Sequence, residues 1–102
     1  MKDPISDAAR LQHILQSIDN LNEFVSELSY DNFINSRIHK SAVTYELQII
    51  GEAVTRLTEP VRAQFDEQTW KGLRNLRNIA AHQYFEIDYS VIWELIKYNS
   101  GQ

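Results

Sequence analysis

The chain has 102 residues, 43% of them hydrophobic, no cysteine and a formal net charge of −4 at pH 7. This length predicts one domain over residues 1–102, and the lack of cysteine excludes disulfides and cysteine-ligated zinc. The N-terminus shows no apolar signal segment, and no apolar run approaches the roughly 20 residues that span a bilayer. We therefore expect a cytoplasmic protein with no membrane partner.

The charge is unevenly distributed along the chain. Residues 1–31 contain two basic and six acidic side chains, whereas residues 37–82 contain seven basic and five acidic ones. The net negative charge disfavours a protein that coats nucleic acid, because such a surface needs an excess of lysine and arginine. A small basic site on an acidic body is still compatible with this pattern, and Lys71, Arg74 and Arg77 lie together in the basic part.

The first predicted helix begins after Ser6, which is a good N-terminal cap. Apolar side chains recur after it at steps of three and four residues and form one stripe: Leu11, Ile14, Leu15, Ile18, Leu21, Val25 and Leu28. This pattern is typical of an amphipathic helix of about twenty residues. The segment Ser29 to Asp31 ends it and can cap the next helix.

The second predicted helix, from Asn32 to Leu57, is apolar on two sides. One stripe consists of Val43, Leu47, Ile50, Val54 and Leu57, and the other, on nearly the opposite face, of Ile34, Ile38, Ala42, Tyr45, Ile49 and Ala53. Such a helix lies centrally in a bundle or serves both a core and a partner chain, and the short chain favours the second alternative. Gly51 inside this helix indicates a close approach of another helix.

Shorter helices are predicted for the rest of the chain. Thr58 to Pro60 ends the second helix and starts a short one through Phe65, and Thr69 can cap a helix from Trp70 to about Ala81. Asp88 can cap a last helix whose apolar face is Val91, Ile92, Leu95 and Ile96. The predicted fold is all-α: an antiparallel helical bundle with two long helices and two or three shorter ones.

One octapeptide, Arg77 to Tyr84 with the sequence RNIAAHQY, groups chemically capable side chains. Arginine is a fixed cation that can hold phosphate, and histidine can take and give a proton near neutral pH. Arg77 falls within the apolar arc of its helix, where a guanidinium needs a partner, a ligand or a wet interface. His82 and Tyr84 would lie in the loop after the helix. Lys71, Arg74 and Asn78 lie to one side of Arg77 and can add donors.

Spacing alone also allows a purely structural interpretation. A histidine at a helix C-terminus interacts favourably with the helix dipole, and an arginine on an apolar face can extend its head into water. Tyr84 by itself is compatible with a half-buried packing ring. Glu52, at the edge of the second stripe, is either a solvated flanking residue or an ion-pair partner for an arginine at an interface.

Two segments of the chain resemble one protein family. The motif Arg77-x4-His82-x-Tyr84, which follows Trp70 and precedes a capped helix, is similar to the R-x4-H-x-Y signature of HEPN-domain proteins. The segment Tyr45–Ala53, with the sequence YELQIIGEA, resembles the second helix of the HepT-like toxin branch of that family. With the length and the helix order, the resemblance covers nearly the whole chain and implies a single HEPN-like helical domain that forms a homodimer.

The resemblance implies the toxin of a toxin–antitoxin pair, a metal-independent endoribonuclease without a cofactor. Arg77 and His82 would be catalytic, and Lys71, Arg74 and Asn78 would hold RNA phosphate. Cleavage of RNA by its own 2′-hydroxyl needs a base, an acid and a cation. Because arginine does not release its proton, only His82 of the motif can transfer protons, and a second copy of the motif across a twofold axis would supply the other histidine.

The family also implies a protein partner. In the HepT-like branch a minimal nucleotidyltransferase antitoxin inactivates the toxin by transferring AMP to the motif tyrosine, here Tyr84. The added nucleotide would occupy the anion site beside Arg77 and His82 and exclude RNA. The expected assembly is a homodimer, or a higher oligomer formed with the antitoxin.

Two other functions stay open at this point. The chain is alternatively a catalytically silent helical dimer module that binds, and is modified by, a nucleotidyltransferase partner. It is otherwise a plain helical dimerisation domain. The RNA target also stays open, since transfer RNA, messenger RNA and other RNAs are all cut by proteins that carry such motifs.

Overall fold

A computed structural model describes residues 6–82 and 86–100, with side chains described as far as Lys97. Within these ranges the chain forms helices and no strand: α1 Asp7–Ser26, α2 Tyr30–Ile34, α3 Arg37–Arg56, α4 Glu59–Arg62, α5 Glu67–Ala80 and α6 Tyr89–Ser100. The predicted all-α fold is therefore confirmed. None of these helices combines the length and the apolar character that crossing a membrane would require.

The central helix of the bundle is α3, which packs against α1 on one side and α5 on the other. Both neighbours run antiparallel to it. Arg10 near the start of α1 donates to the Arg56 carbonyl at the end of α3, and Asn20 near the end of α1 donates to Glu46. The core is aliphatic apart from Phe33, and it includes Ile14, Leu21, Val25, Val43, Leu47, Ile50, Val54, Leu73, Ile92 and Ile96.

The predicted helix from Asn32 to Leu57 is wrong at its N-terminal end, because the chain breaks between α2 and α3. Ser36 caps α3, and its hydroxyl accepts a hydrogen bond from the His39 amide at 3.2 Å. Phe33 in α2 is fully buried and stacks on Trp93 of α6 at a centroid distance of 5.2 Å. The break lets α2 turn Phe33 into the core while α3 keeps its own direction.

The start of α5 also differs from the prediction. Asp66, rather than Thr69, is the cap, and its carboxylate accepts a hydrogen bond of 2.7 Å from the Thr69 amide. This bond holds the pKa of the Asp66 carboxyl below its ordinary value of 3.8. The short helix α4 ends at Arg62, before the predicted Phe65. The predicted cap of α6 is confirmed, since Asp88 accepts from the Ser90 amide at 3.1 Å.

The two apolar stripes of α3 have different surroundings. The first is entirely in the core, with Val43, Leu47, Ile50 and Val54 fully buried. In the second stripe Ala53 is buried, whereas Ile38 is 80% exposed and Tyr45 is 66% exposed. The bundle therefore leaves Ile38 and Tyr45 of the second stripe on its surface, and Ala42 and Ile49 are half-buried.

Candidate functional site

The motif lies across the C-terminal end of α5. Arg77 is in the last turn, the helix ends at Ala80, and Ala81 closes it by donating its amide to the Arg77 carbonyl at 3.1 Å. His82 follows in a turn and its amide donates to the Ile79 carbonyl at 3.1 Å. The prediction that His82 lies beyond the helix is confirmed. Tyr84 lies outside the described residues.

Helix α3 holds this end of α5 closely. The Gln48 side-chain amide donates to the Ala80 carbonyl at 2.7 Å. One turn further along α3, Gly51 is buried, and a Cβ added to it would lie 2.7 Å from the Ala80 Cβ and 3.7 Å from the Arg77 Cα. The close approach predicted from Gly51 is confirmed, and it occurs at the motif itself.

Arg77 lines an open groove of about 440 Å³ between α3 and α5. The rest of its lining is contributed by α3 and by the end of α5, and consists of Tyr45, Gln48, Ile49, Gly51, Glu52, Thr55, Arg56, Ala80 and Ala81. Arg77 is half-buried, whereas Leu73 and Ala80 on the same arc are buried. Over residues 6–82 and 86–97 no ion pair of Arg77 is found.

His82 faces a different cavity from Arg77. Its side chain is 63% exposed, and Nδ1 lies 3.8 Å from Oε1 of Glu86. Together with Ile79, Glu86 and Asp88 it lines a separate hollow of about 200 Å³ between α5 and α6. The Asp88 carboxylate there is committed to Ser90, whose hydrogen bond holds the pKa of Asp88 below 3.8. Within one chain, the cation and the proton-transfer group thus line two hollows on either side of the α5 end.

The other predicted binding residues, Lys71, Arg74 and Asn78, are all exposed and share one face of α5. None of the three lines the groove with Arg77. Arg74 lies one turn before Asn78 on the flank of the same helix. In the described part of the chain neither Lys71 nor Arg74 has an ion pair. Their positive charge faces water, where phosphate can reach it.

Glu52 is exposed and lines the groove together with Arg77. No ion pair between the two is present among the described residues. In the single chain Glu52 is therefore a solvated flanking residue. Its carboxylate balances part of the positive charge of Arg56 and Arg77, which line the same groove.

Sequence reasoning missed two polar residues of α3. Gln48 lies three residues before Gly51, and this spacing was a usable signal for a second contact with the same helix. Glu46 is 6% exposed, accepts from Asn20 at 3.2 Å through Oε2, and its Oε1 has no hydrogen-bond partner among the described residues. No sequence pattern marked Glu46 as buried.

The fold and the site define a class: a helical bundle with an arginine in the last turn of a helix and a histidine just past its end. The pair offers a fixed cation and a proton-transfer group on a single surface segment, which is what phosphate chemistry requires. The exposed carboxylates Glu52 and Glu86 lie one on each side of this segment.

The chain is similar in sequence to known proteins. A family model described as "Ribonuclease HepT-like" matches residues 14–100. "Putative RNase MJ1380" of Methanocaldococcus jannaschii is 39% identical over 87% of this chain and 82% of its own length. "Putative RNase TTE0752" of Caldanaerobacter subterraneus is 36% identical over 84% of this chain and 77% of its own. "Probable ribonuclease HepT" of Thermococcus cleftensis is 29% identical over 85% and 79%, respectively. No solved structure matches significantly.

The chain belongs to the ribonuclease HepT-like family, a branch of the HEPN proteins. This membership supports a ribonuclease-type function.

Proposed function

We propose that this protein is a metal-independent endoribonuclease whose active site is completed by a second copy of the chain. The observation that carries the proposal is the placement of Arg77 and His82 in two separate hollows at the end of α5. One chain therefore offers one cation and one proton-transfer group that do not converge. Two copies related by a twofold axis through this surface would bring two of each together.

The surface of α3 next to the groove supports the dimer. Ile38 is 80% exposed and Tyr45 is 66% exposed, and Tyr45 also lines the groove of Arg77. Large apolar side chains on one contiguous helix face are costly to leave in water and are typical of an interface. The same contact would thus bury the second stripe and join the two motifs.

The chemistry follows from the residue types. One His82 removes the proton from the ribose 2′-hydroxyl while the O2′–P bond forms, and the partner subunit's His82 donates a proton to the leaving 5′-oxygen as the P–O5′ bond breaks. The products are a 2′,3′-cyclic phosphate and a 5′-hydroxyl. Arg77 stays charged throughout and stabilises the extra negative charge on the phosphorane. Lys71, Arg74 and Asn78 bind phosphates of the same strand.

A tethered dimer tests the composite site. Two copies are joined in one chain, and His82→Ala is introduced into one of them. A composite site loses its acid or its base, so RNA cleavage should fall by about 10²-fold or more. Two independent sites would instead leave about half of the activity. The control is His13→Ala in one copy, because His13 is exposed on α1, away from the motif.

We further propose that Tyr84 accepts AMP from a nucleotidyltransferase partner and that this silences the toxin. The support is the position of Tyr84, two residues after His82, where an added phosphate would compete with RNA for Arg77. Co-expression with a minimal nucleotidyltransferase should add the mass of one AMP per chain, and Tyr84→Phe should remove that increment. No increment on the wild-type chain would reject the modification.

The silent-module alternative is tested with the same material. Wild-type protein free of AMP on Tyr84 is incubated with single-stranded and structured RNA in the presence of a chelator. Cleavage that is lost in His82→Ala and in Arg77→Ala, with the fold and dimer retained, supports the ribonuclease. Intact RNA in every sample would favour a module whose role is only to bind its partner.

A further inference from the structure

The end of α5 is held by a side chain from another helix. The last carbonyls of a helix lack intrahelical partners and need other donors. At the end of α5 the Arg77 and Asn78 carbonyls share the Ala81 amide, and the Ile79 carbonyl accepts from the His82 amide. The Ala80 carbonyl instead accepts from Nε2 of Gln48 at 2.7 Å, a short bond that crosses from α3.

The same pair of helix turns also meets at Gly51. Gln48 and Gly51 are one turn apart on α3, and they meet Arg77 and Ala80, which are one turn apart on α5. Gly51, which has no side chain, allows α5 to lie close to α3 at this turn, since a Cβ added there would lie 2.7 Å from the Ala80 Cβ. The Gln48 contact fixes the direction of the Ala80 carbonyl and with it the path by which the chain leaves the helix.

His82 depends on that path for its position. Its side chain is 63% exposed, its Nδ1 lies 3.8 Å from Oε1 of Glu86, and Asp88 lines the same hollow. Only one residue, Ala81, lies between His82 and the residue whose carbonyl Gln48 holds. A displacement of about 1 Å in a reacting group can cost about 10²-fold in rate.

We propose that Gln48 is a positioning residue for the ribonuclease site, which holds the end of α5 so that Arg77 and His82 keep their geometry on the RNA. The inference rests on the proposed ribonuclease function. Gln48 acts through the backbone of Ala80 and need not touch the RNA. Its role therefore differs from that of Lys71 and Arg74, whose charges bind phosphate directly.

Three variants separate this role from others. Gln48→Leu removes the donor and keeps most of the volume. Gln48→Lys restores a donor that can reach the carbonyl, and a lysine near a helix C-terminus is favourable. Gln64→Leu is the matched control, because the Gln64 amide also donates to a backbone carbonyl, that of Pro60 at 3.3 Å, but away from the motif.

In the cleavage assay Gln48→Leu should lower kcat by about 10- to 100-fold and change KM by less than about threefold, since the phosphate contacts are unaffected. Gln48→Lys should recover most of kcat, and Gln64→Leu should behave as wild type. Unchanged kcat in Gln48→Leu overturns the proposal. A raised KM with unchanged kcat also overturns it, because that result would mean that Gln48 binds RNA.

Amide hydrogen exchange tests the hydrogen bond between Gln48 and the Ala80 carbonyl without RNA. In Gln48→Leu the amides of Ala81 and His82 should exchange at least about tenfold faster, because the last turn opens more often, while the amides of Leu47 and Ile50 keep their protection. Unchanged exchange at Ala81 and His82 refutes the holding role. If the wild-type chain cuts no RNA, the ribonuclease proposal itself is refuted. If the wild-type chain cuts RNA and Gln48→Leu behaves as wild type, only the role of Gln48 is refuted.

Discussion

Replacing Gly51 with alanine puts a methyl group where two helices already touch. The new Cβ would lie 2.7 Å from the Ala80 Cβ. Non-bonded carbons pack at about 3.5–4.0 Å, so the shortfall is roughly 1 Å. Both Cβ atoms are fixed by their backbones, and no rotamer change can relieve the overlap. Overpacking of this kind costs about 1–3 kcal/mol, and the better helix propensity of alanine offsets up to about 1 kcal/mol. We expect a net loss of about 1–2 kcal/mol.

Gly72 provides the matched control. It is exposed on α5, and a Cβ added there meets nothing within 4 Å. Gly72→Ala therefore gains helix propensity without a clash and should stabilise the protein by about 0.5–1 kcal/mol. The same substitution should thus have opposite signs at the two positions.

A double-mutant cycle isolates the overlap at Gly51. Ala80→Gly removes the methyl group that the new Cβ would meet, and the next neighbours, the Cα and carbonyl oxygen of Arg77, lie at 3.7 and 3.8 Å, in ordinary contact. The Gly51→Ala/Ala80→Gly protein should therefore be more stable than the sum of the single changes predicts, by about 1–3 kcal/mol.

The measurement is urea unfolding followed by circular dichroism at one fixed protein concentration, so that any self-association affects all variants alike. The reasoning is refuted if Gly51→Ala gains as much stability as Gly72→Ala. It is also refuted if the two changes at positions 51 and 80 are additive, because the crossing would then have room for the methyl group.

Two further predictions concern helix caps. Ser36→Ala removes the side-chain cap of α3 and should lower the free energy of unfolding, measured with urea, by about 1 kcal/mol. The control, Ser26→Ala at an exposed helix end, should change it by less than half as much. Equal effects of the two substitutions would contradict the capping role. For Asp66, whose pKa is lowered by bonds from Thr69, the ionised form stabilises the fold at pH values above 3.8. That stability is lost as the pH falls through the lower folded pKa. Asp66→Asn keeps a cap but cannot ionise, so the urea midpoint should fall less steeply below about pH 4 than in the wild type. An unchanged pH dependence of the midpoint would show that Asp66 does not contribute this stability.

Much of the fold was predictable because its signals are local. The cap at Ser6 and the three- and four-residue spacing defined α1 within a few residues, and Asp88 marked the start of α6. The errors arose where two local solutions compete. Ser36 interrupts an apolar pattern that stays in phase across the break, so only the packing of Phe33 selects the boundary between α2 and α3. Asp66 and Thr69 are both acceptable caps, so only the hydrogen bond to Asp66 selects the start of α5.

The site was predictable in its residues but not in its geometry. The order of Arg77, His82 and Tyr84 along the chain identified the family, and the end of α5 near Ala81 followed from helix propensity and spacing. The opposite placement of Arg77 and His82 could not be read from the sequence. It depends on how the turn after α5 packs against α3 and α6.

The sequence by itself determined that the chain is helical, where its main helices lie and which family it belongs to, because periodicity, caps and motif spacing act over a few residues. Only the tertiary structure decided that α3 passes so close to the motif that Gly51 meets Ala80 and Gln48 holds its carbonyl. Those contacts join residues about thirty positions apart, and their geometry is set by the packing of whole helices rather than by any local preference.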